Sequence, residues 1–241
     1  MSKFVSFITA GDPSMEKTRE FIDVLAQHSD IIEIGLPFSD PIAEGEVIQA
    51  ANMRSLQAGT TTDKVFEMLE TVAFDKMVIL TYANPVFAYG YDRFFKRCQQ
   101  CGVYGVILPD LPFEERGEAL GYAETYGVHL ITMIAPTSAQ RVQMLARDAT
   151  GFIYLVSSMG VTGVRSAFDI DLSDIVKQIR AVTDVPVFIG FGISTPRQAE
   201  NMGKIADGVI VGSAIVKIIA RHGADSAPYI KKFIEEMREH V

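Results

Sequence analysis

The stretch Val185-Pro-Val-Phe-Ile-Gly190-Phe-Gly192-Ile-Ser194-Thr-Pro196-Arg-Gln-Ala-Glu-Asn-Met202, followed by Gly208-Val-Ile-Val-Gly212-Ser213-Ala-Ile-Val-Lys-Ile-Ile-Ala220, reads as strand, glycine turn and helix, twice over. Short apolar runs at Val185 to Gly190 and Gly208 to Gly212 alternate with amphipathic segments at Pro196 to Met202 and Ser213 to Ala220. That switch of period marks βα units. Outward from it, the same alternation predicts strands at Phe4 to Ile8, Ile31 to Gly35, Met77 to Thr81, Val103 to Leu108, Val128 to Met133 and Phe152 to Val156. Helices are expected at Ser14 to Ala26, with Ser14 as cap, then at Glu46 to Gln57, Asp63 to Val72, Asp92 to Gln100 and Glu114 to Tyr126. Further helices are expected at Ala139 to Asp148, Leu172 to Val182 and Ser226 to His240. Eight parallel strands of this spacing in one α/β domain over residues 1–241 predict a (β/α)8 TIM barrel with outer helices. A doubly wound open sheet is the competing fold, but no GxGxxG follows the first strand.

Composition narrows the function. With 241 residues, 48% hydrophobic and 22% charged, the chain fits one large globular domain as well as two small ones, and no low-complexity linker divides it. A formal net charge of -8 argues against nucleic acid as a partner. Met1 to Phe7 runs into Gly11-Asp12-Pro13 too soon for a signal peptide, and no apolar segment reaches membrane-spanning length, so a soluble, cytoplasmic protein is expected. Cys98 and Cys101 read as packing thiols, since a lone CxxC without nearby His does not close a tetrahedral zinc site. His28, His129, His222 and His240 lack ligand spacing, so no metal site is expected.

In a barrel of this kind the site is built at the C-terminal strand ends. Glu33 stands there, in the run Ile31-Ile-Glu33-Ile-Gly35, on the same side of its strand as Ile31 and Gly35. A buried, unpaired carboxyl is pushed toward protonation at neutral pH, as a general acid or base requires; a structural Glu paired with an Arg is the other reading. The glycine turns after strands seven and eight let backbone amides approach an anion at a helix N-terminus. They assign phosphate to Gly192, Ile193, Gly212 and Ser213, with Gly163 reaching over from the loop after strand six; the alternative is that these glycines only make tight turns.

Taken together, the runs Ile-Glu33-Ile-Gly-Leu-Pro-Phe-Ser-Asp40-Pro, Tyr82-Ala-Asn84-Pro, Gly160-Val-Thr-Gly163, Gly190-Phe-Gly-Ile-Ser194 and Gly212-Ser-Ala-Ile-Val216 resemble the tryptophan synthase α subunit, in order and over nearly the whole chain. The resemblance implies a lyase that cleaves indole-3-glycerol phosphate to indole and glyceraldehyde 3-phosphate. It also implies a β subunit partner that carries pyridoxal phosphate, in an αββα assembly, with no cofactor in this chain. Other readings are a weakly active barrel acting mainly as allosteric partner of β, and a free-standing indole-producing lyase.

For the site, the resemblance implies Glu33 as proton carrier, Glu44 at the position of a family Asp, and Tyr154 near the catalytic Glu. The family Asp sits in an ADG sequence, commonly followed by proline, where this chain has Ala43-Glu44-Gly45-Glu46. Phe7, Tyr82, Leu108 and Phe191 are expected to wall the indole site. Neither alternative route to carbon–carbon cleavage is visible: Lys76 and Lys204 precede strands, at the wrong end of the barrel for a Schiff base, and metal ligands are lacking. The long segment Ser158 to Asp169 is expected to form a closing lid. The family often has a helix before its first strand, so the base of this barrel is expected to be less covered.

Overall fold

The computed structural model describes residues 2–138, 141–157 and 172–241. The chain runs β1 (Lys3–Thr9), α1 (Met15–Leu25), β2 (Ile31–Gly35), α2 (Glu46–Gln57), α3 (Thr62–Leu69), β3 (Met77–Leu80), α4 (Ala83–Tyr89), α5 (Tyr91–Gln100) and β4 (Val103–Ile107). It continues through α6 (Gly117–Thr125), β5 (His129–Leu130), β6 (Thr132–Ile134), α7 (Val142–Arg147), β7 (Ile153–Val156), α8 (Leu172–Arg180) and β8 (Val187–Gly190). Then come α9 (Pro196–Gly203), β9 (Gly208–Val211), α10 (Ser213–His222) and α11 (Ala227–Arg238). Helix starts follow local chemistry. Ser14 accepts from the Lys17 amide at 3.2 Å to cap α1, whose stripe of Thr18, Phe21, Ile22 and Leu25 is buried. Thr195 and Gln198 form a capping box on α9.

All strand pairs are parallel, in the order β5-β4-β3-β2-β1-β9-β8-β7-β6. The expected strand Val128 to Met133 is in fact two: β5 pairs only with β4 and β6 only with β7, with the Ile131 amide between them donating to Val106 at 2.9 Å. In a staggered barrel the lower half of one pass meets one neighbour and the upper half the other, so this single pass joins the two ends of the sheet. The result is a (β/α)8 barrel of eight passes.

Its interior is filled by Val5, Ile31, Val78, Ile107, Ile131, Phe152, Phe188 and Ile210, one from each pass, with Tyr154 above them. A larger cluster lies between strands and helices. The alternation of faces then fixes what stands next up the barrel: Phe7 and Glu33, paired in register, lie two residues beyond Val5 and Ile31. Below, at the N-terminal end, a cavity of ≈ 790 Å³ opens onto Phe152, Phe188, Tyr104 and Lys76.

One helix goes beyond the sequence expectation. The Tyr82 to Pro85 turn continues into α4, with Pro85 in its first turn, where a missing amide hydrogen costs nothing. The carboxylate of Asp110, in the loop after β4, accepts from the Ala83 amide at 2.9 and 3.2 Å and so caps α4 from a neighbouring unit. Asp110 is therefore a loop-ordering residue.

Candidate active site

A cavity of ≈ 560 Å³ opens at the C-terminal end of the barrel. It is lined by Phe7, Glu33, Glu44, Tyr154, Phe191, Gly192, Ile193, Gly212 and Ser213 among others, which brings together most of the residues expected from sequence. Glu33 is 1% exposed, and its Oε2 has no hydrogen-bond partner among the described residues. Burial, and then the charge of Glu44, raises its pKa from 4.5 to about 8. Glu33 is thus a protonated acid at neutral pH, which the paired structural Glu of the other reading would not be. Tyr154 is buried next to it: its own pKa is pushed well up, first by burial and then by the charge of Glu33.

Glu44 is 6% exposed and enters from the loop between β2 and α2. Burial raises its pKa, while a hydrogen bond from the Tyr82 hydroxyl pulls the other way by favouring the charged form. The same Tyr82 oxygen accepts from the Ala43 amide at 3.0 Å, so one phenol pins both the backbone and the side chain of this loop. The Tyr82 ring lies 5.2 Å from that of Phe38. Tyr82 therefore does not wall the cavity as expected. The Ala43-Glu44 turn closes over it, and it holds Glu44 from behind.

Leu108 is a second correction. Ile107 points into the barrel, so Leu108, one residue on, faces the opposite side and packs in the outer cluster beneath the helices. It also lines a separate pocket of ≈ 200 Å³ there. Gly163 and the Ser158 to Asp169 segment lie outside the described residues.

Two glycines make room for the aromatic walls. A Cβ at Gly35 would come within 2.7 Å of the Phe7 ring, and one at Gly190 would overlap the Tyr154 hydroxyl. Gly212 also packs on Phe7, its would-be Cβ 3.2 Å from that residue, whereas a Cβ at Gly192 would meet nothing within 4 Å among the described residues. Phe191 has φ 75 and Gly192 φ 77, two successive left-handed residues that turn the chain sharply off β8. Such a conformation costs a non-glycine residue about 1–2 kcal/mol. The Ser157 hydroxyl steadies it by donating to the Phe191 carbonyl. The Phe191 ring stands edge-on to Tyr154 at 6.3 Å.

Several lining residues are additions to the sequence-based set: Leu80 and Ile210, which the alternation of faces points inward, Glu46, Val47 and Ile48 from the first turn of α2, and Lys217 from the second turn of α10. Among the described residues, no group of three or more His, Cys, Asp or Glu side chains stands where it could hold a metal ion. Both cysteines are buried and free, with thiol pKa values raised by burial, to about 11 for Cys101.

The family model described as tryptophan synthase alpha chain matches residues 1–241. The tryptophan synthase alpha chain of Lacticaseibacillus casei is 47% identical over 242 residues, covering 99% of this chain and 91% of the relative. That of Lactiplantibacillus plantarum is 45% identical, covering 98% and 90% respectively. Among solved structures, the tryptophan synthase subunit alpha from Campylobacter jejuni superposes with a TM-score of 0.87 at 38% identity, covering 98% of this chain and 95% of that one. A chain of the tryptophan synthase α2β2 complex from Pyrococcus furiosus superposes with a TM-score of 0.86 at 30% identity, covering 98% and 99%.

Proposed function

The chain belongs to the tryptophan synthase alpha chain family, and we propose that Glu33 and Glu44 are the carboxylates with which it performs that family's step. The step is a lyase reaction of tryptophan biosynthesis, the retro-aldol cleavage of indole-3-glycerol phosphate to indole and glyceraldehyde 3-phosphate. One observation carries the assignment: a buried carboxyl whose Oε2 has no partner among the described residues, with a pKa near 8, at the floor of an aromatic cavity whose rim holds a second carboxylate.

Glu33 starts protonated and delivers its proton to the ring carbon that bears the glycerol chain. As the carbon–carbon bond breaks, the side-chain hydroxyl becomes the aldehyde and its proton passes to the Glu33 carboxylate, so the acid is restored. Positive charge develops at the indole nitrogen in the interval. Glu44, whose charged form the Tyr82 hydroxyl favours against the opposing effect of burial, is the group to stabilise it. The glutamate is a methylene longer than the family aspartate; Tyr82 draws its carboxylate back toward the wall, which offsets the extra length. Tyr154 positions Glu33, while Phe7 and Phe191 supply flat apolar walls for the indole. The phosphate is assigned to the amides of Gly192, Ile193, Gly212 and Ser213, and from the sequence also to Gly163; among the described residues nothing crowds the Cβ side of Gly192, which leaves space for the anion.

The chain acts as one barrel domain over residues 1–241, as the α subunit of an αββα assembly whose β subunit carries pyridoxal phosphate. The cytoplasm is the proposed compartment, in keeping with two free thiols and with the finding that no helix among the described residues is long and apolar enough to cross a membrane. Indole release from indole-3-glycerol phosphate, with and without the β subunit, tests the reading. Glu33→Gln is expected to abolish release while glycerol 3-phosphate still binds. Preserved turnover would end the mechanism.

A further inference from the structure

The cavity is an acidic place for a phosphate ester to enter. Glu33, Glu44 and Glu46 line it, and the chain carries a net charge of -8. Among the described residues that line it, Lys217 is the one cation.

Three observations give that lysine a direction. It sits four residues after Ser213, hence on the same face of α10, one turn beyond the amides assigned to phosphate. In a helix the Cα–Cβ bond leans toward the N-terminus, which carries a long side chain back over the preceding turn. The Lys217 ammonium is therefore thrown toward Ser213 and Gly212, not away from them.

Second, it is exposed and has neither an ion-pair nor a hydrogen-bond partner among the described residues, while Lys204, Lys231 and Lys232 each face a glutamate four residues away. Third, α10 reads Ser-Ala-Ile-Val-Lys-Ile-Ile-Ala-Arg-His, with no acidic residue to take Lys217 as a helical neighbour. In a chain with 30 Asp and Glu, a helix free of them at the mouth of an acidic cavity leaves its lysine available to an incoming anion.

We infer that Lys217 is a binding residue for the phosphate monoester of the substrate, its ammonium closing over the anion from the side opposite the β8 turn. The inference rests on the reading that phosphate sits at the turns after β8 and β9. Backbone amides fix where the phosphate lies; Lys217 supplies the full positive charge that they lack, and offsets repulsion from Glu44 and Glu46 as the ester enters.

The test uses the chain assembled with its β subunit. Lys217→Gln is expected to raise KM for indole-3-glycerol phosphate and the inhibition constant of glycerol 3-phosphate alike, by about fivefold at low salt, with kcat moving far less. The gap should close near 1 M salt, where the screening length is about 3 Å. Lys217→Arg should retain most of the affinity, and binding of indole, which has no phosphate, should not change. Ser213→Asp, run in parallel, places a carboxylate at the first turn of α10, where a helix tolerates it but a bound phosphate does not. If Ser213→Asp leaves glycerol 3-phosphate binding intact, the phosphate lies elsewhere and both readings fall. If Ser213→Asp abolishes binding while Lys217→Gln leaves KM and the inhibition constant unmoved, the Lys217 inference alone is overturned.

Discussion

Replacing Glu33 by Gln should make the protein more stable as well as inactive, and the gain should depend on pH in a way that identifies its cause. Glu33 holds its proton up to about pH 8 in the folded barrel, against an ordinary value of 4.5 once the chain unfolds. Between these values the unfolded state releases a proton that the folded state keeps, so stability falls as pH rises from 4.5 through about 8 and is flat beyond. At about 1.4 kcal/mol per pH unit, the gap between 4.5 and about 8 amounts to about 5 kcal/mol. Water in the cavity above the carboxyl, together with local relaxation, reduces this, and the expected difference is about 2–4 kcal/mol at pH 9 and near zero at pH 5. A glutamine side chain is nearly isosteric with the protonated acid and does not titrate, so the variant escapes the loss. Equilibrium urea unfolding of both proteins at several pH values from 5 to 9 measures it, the midpoints diverging as pH rises with little change in slope. A difference that is constant with pH, or a variant that is less stable throughout, would refute the argument that burial sets the acidity of Glu33.

Two further predictions concern the points at which the structure departs from expectation. Tyr82→Phe leaves Glu44 without its donor, and Glu44→Asp withdraws the carboxylate from the same hydroxyl; each should lower kcat by about tenfold or more with little change in KM, and the double variant should lose less than the product of the two. A strict product would mean that the two residues act independently. Leu108→Ala should cost about 2–5 kcal/mol in urea unfolding while leaving KM for indole-3-glycerol phosphate unchanged, because the side chain packs beneath the helices. A raised KM with intact stability would return Leu108 to the cavity wall.

Much of this barrel can be read from one chain because its strands are short, apolar and separated by amphipathic runs. Ile31–Gly35 and Glu46–Gln57 lie where periodicity puts them. What escapes such a reading are features made by neighbours distant in sequence. The break at Ile131 exists because two different strands claim the two halves of one pass, and nothing local signals which. Helix α4 is capped by Asp110 from the next unit, so the Tyr82 to Pro85 turn resembles a loop. Leu108 stands at the end of the fourth strand, where position alone suggests a ligand contact, but it follows the inward-pointing Ile107 and every step along a strand reverses the side chain. Tyr82 stands at the right end of the right strand, but its hydroxyl answers to Glu44, 38 residues earlier. Lys217 lies one helical turn past its strand, out of view of any reading confined to strand ends.

The ring of side chains that fills the barrel separates two openings, ≈ 560 Å³ on one side and ≈ 790 Å³ on the other. Ile31, Phe152 and Phe188 touch the lower opening, and Glu33 and Tyr154, each two residues beyond one of them on the same strand face, touch the upper. The barrel is thus a tube with a stopper a single side chain thick. Glu33 lines the upper opening and not the lower one, and its weak acidity is a property of the stopper as much as of the carboxyl itself. Any shaving of Phe188 or Ile31 from below would let water through to the acid, and would retune the chemistry at one end of the molecule by a change made at the other.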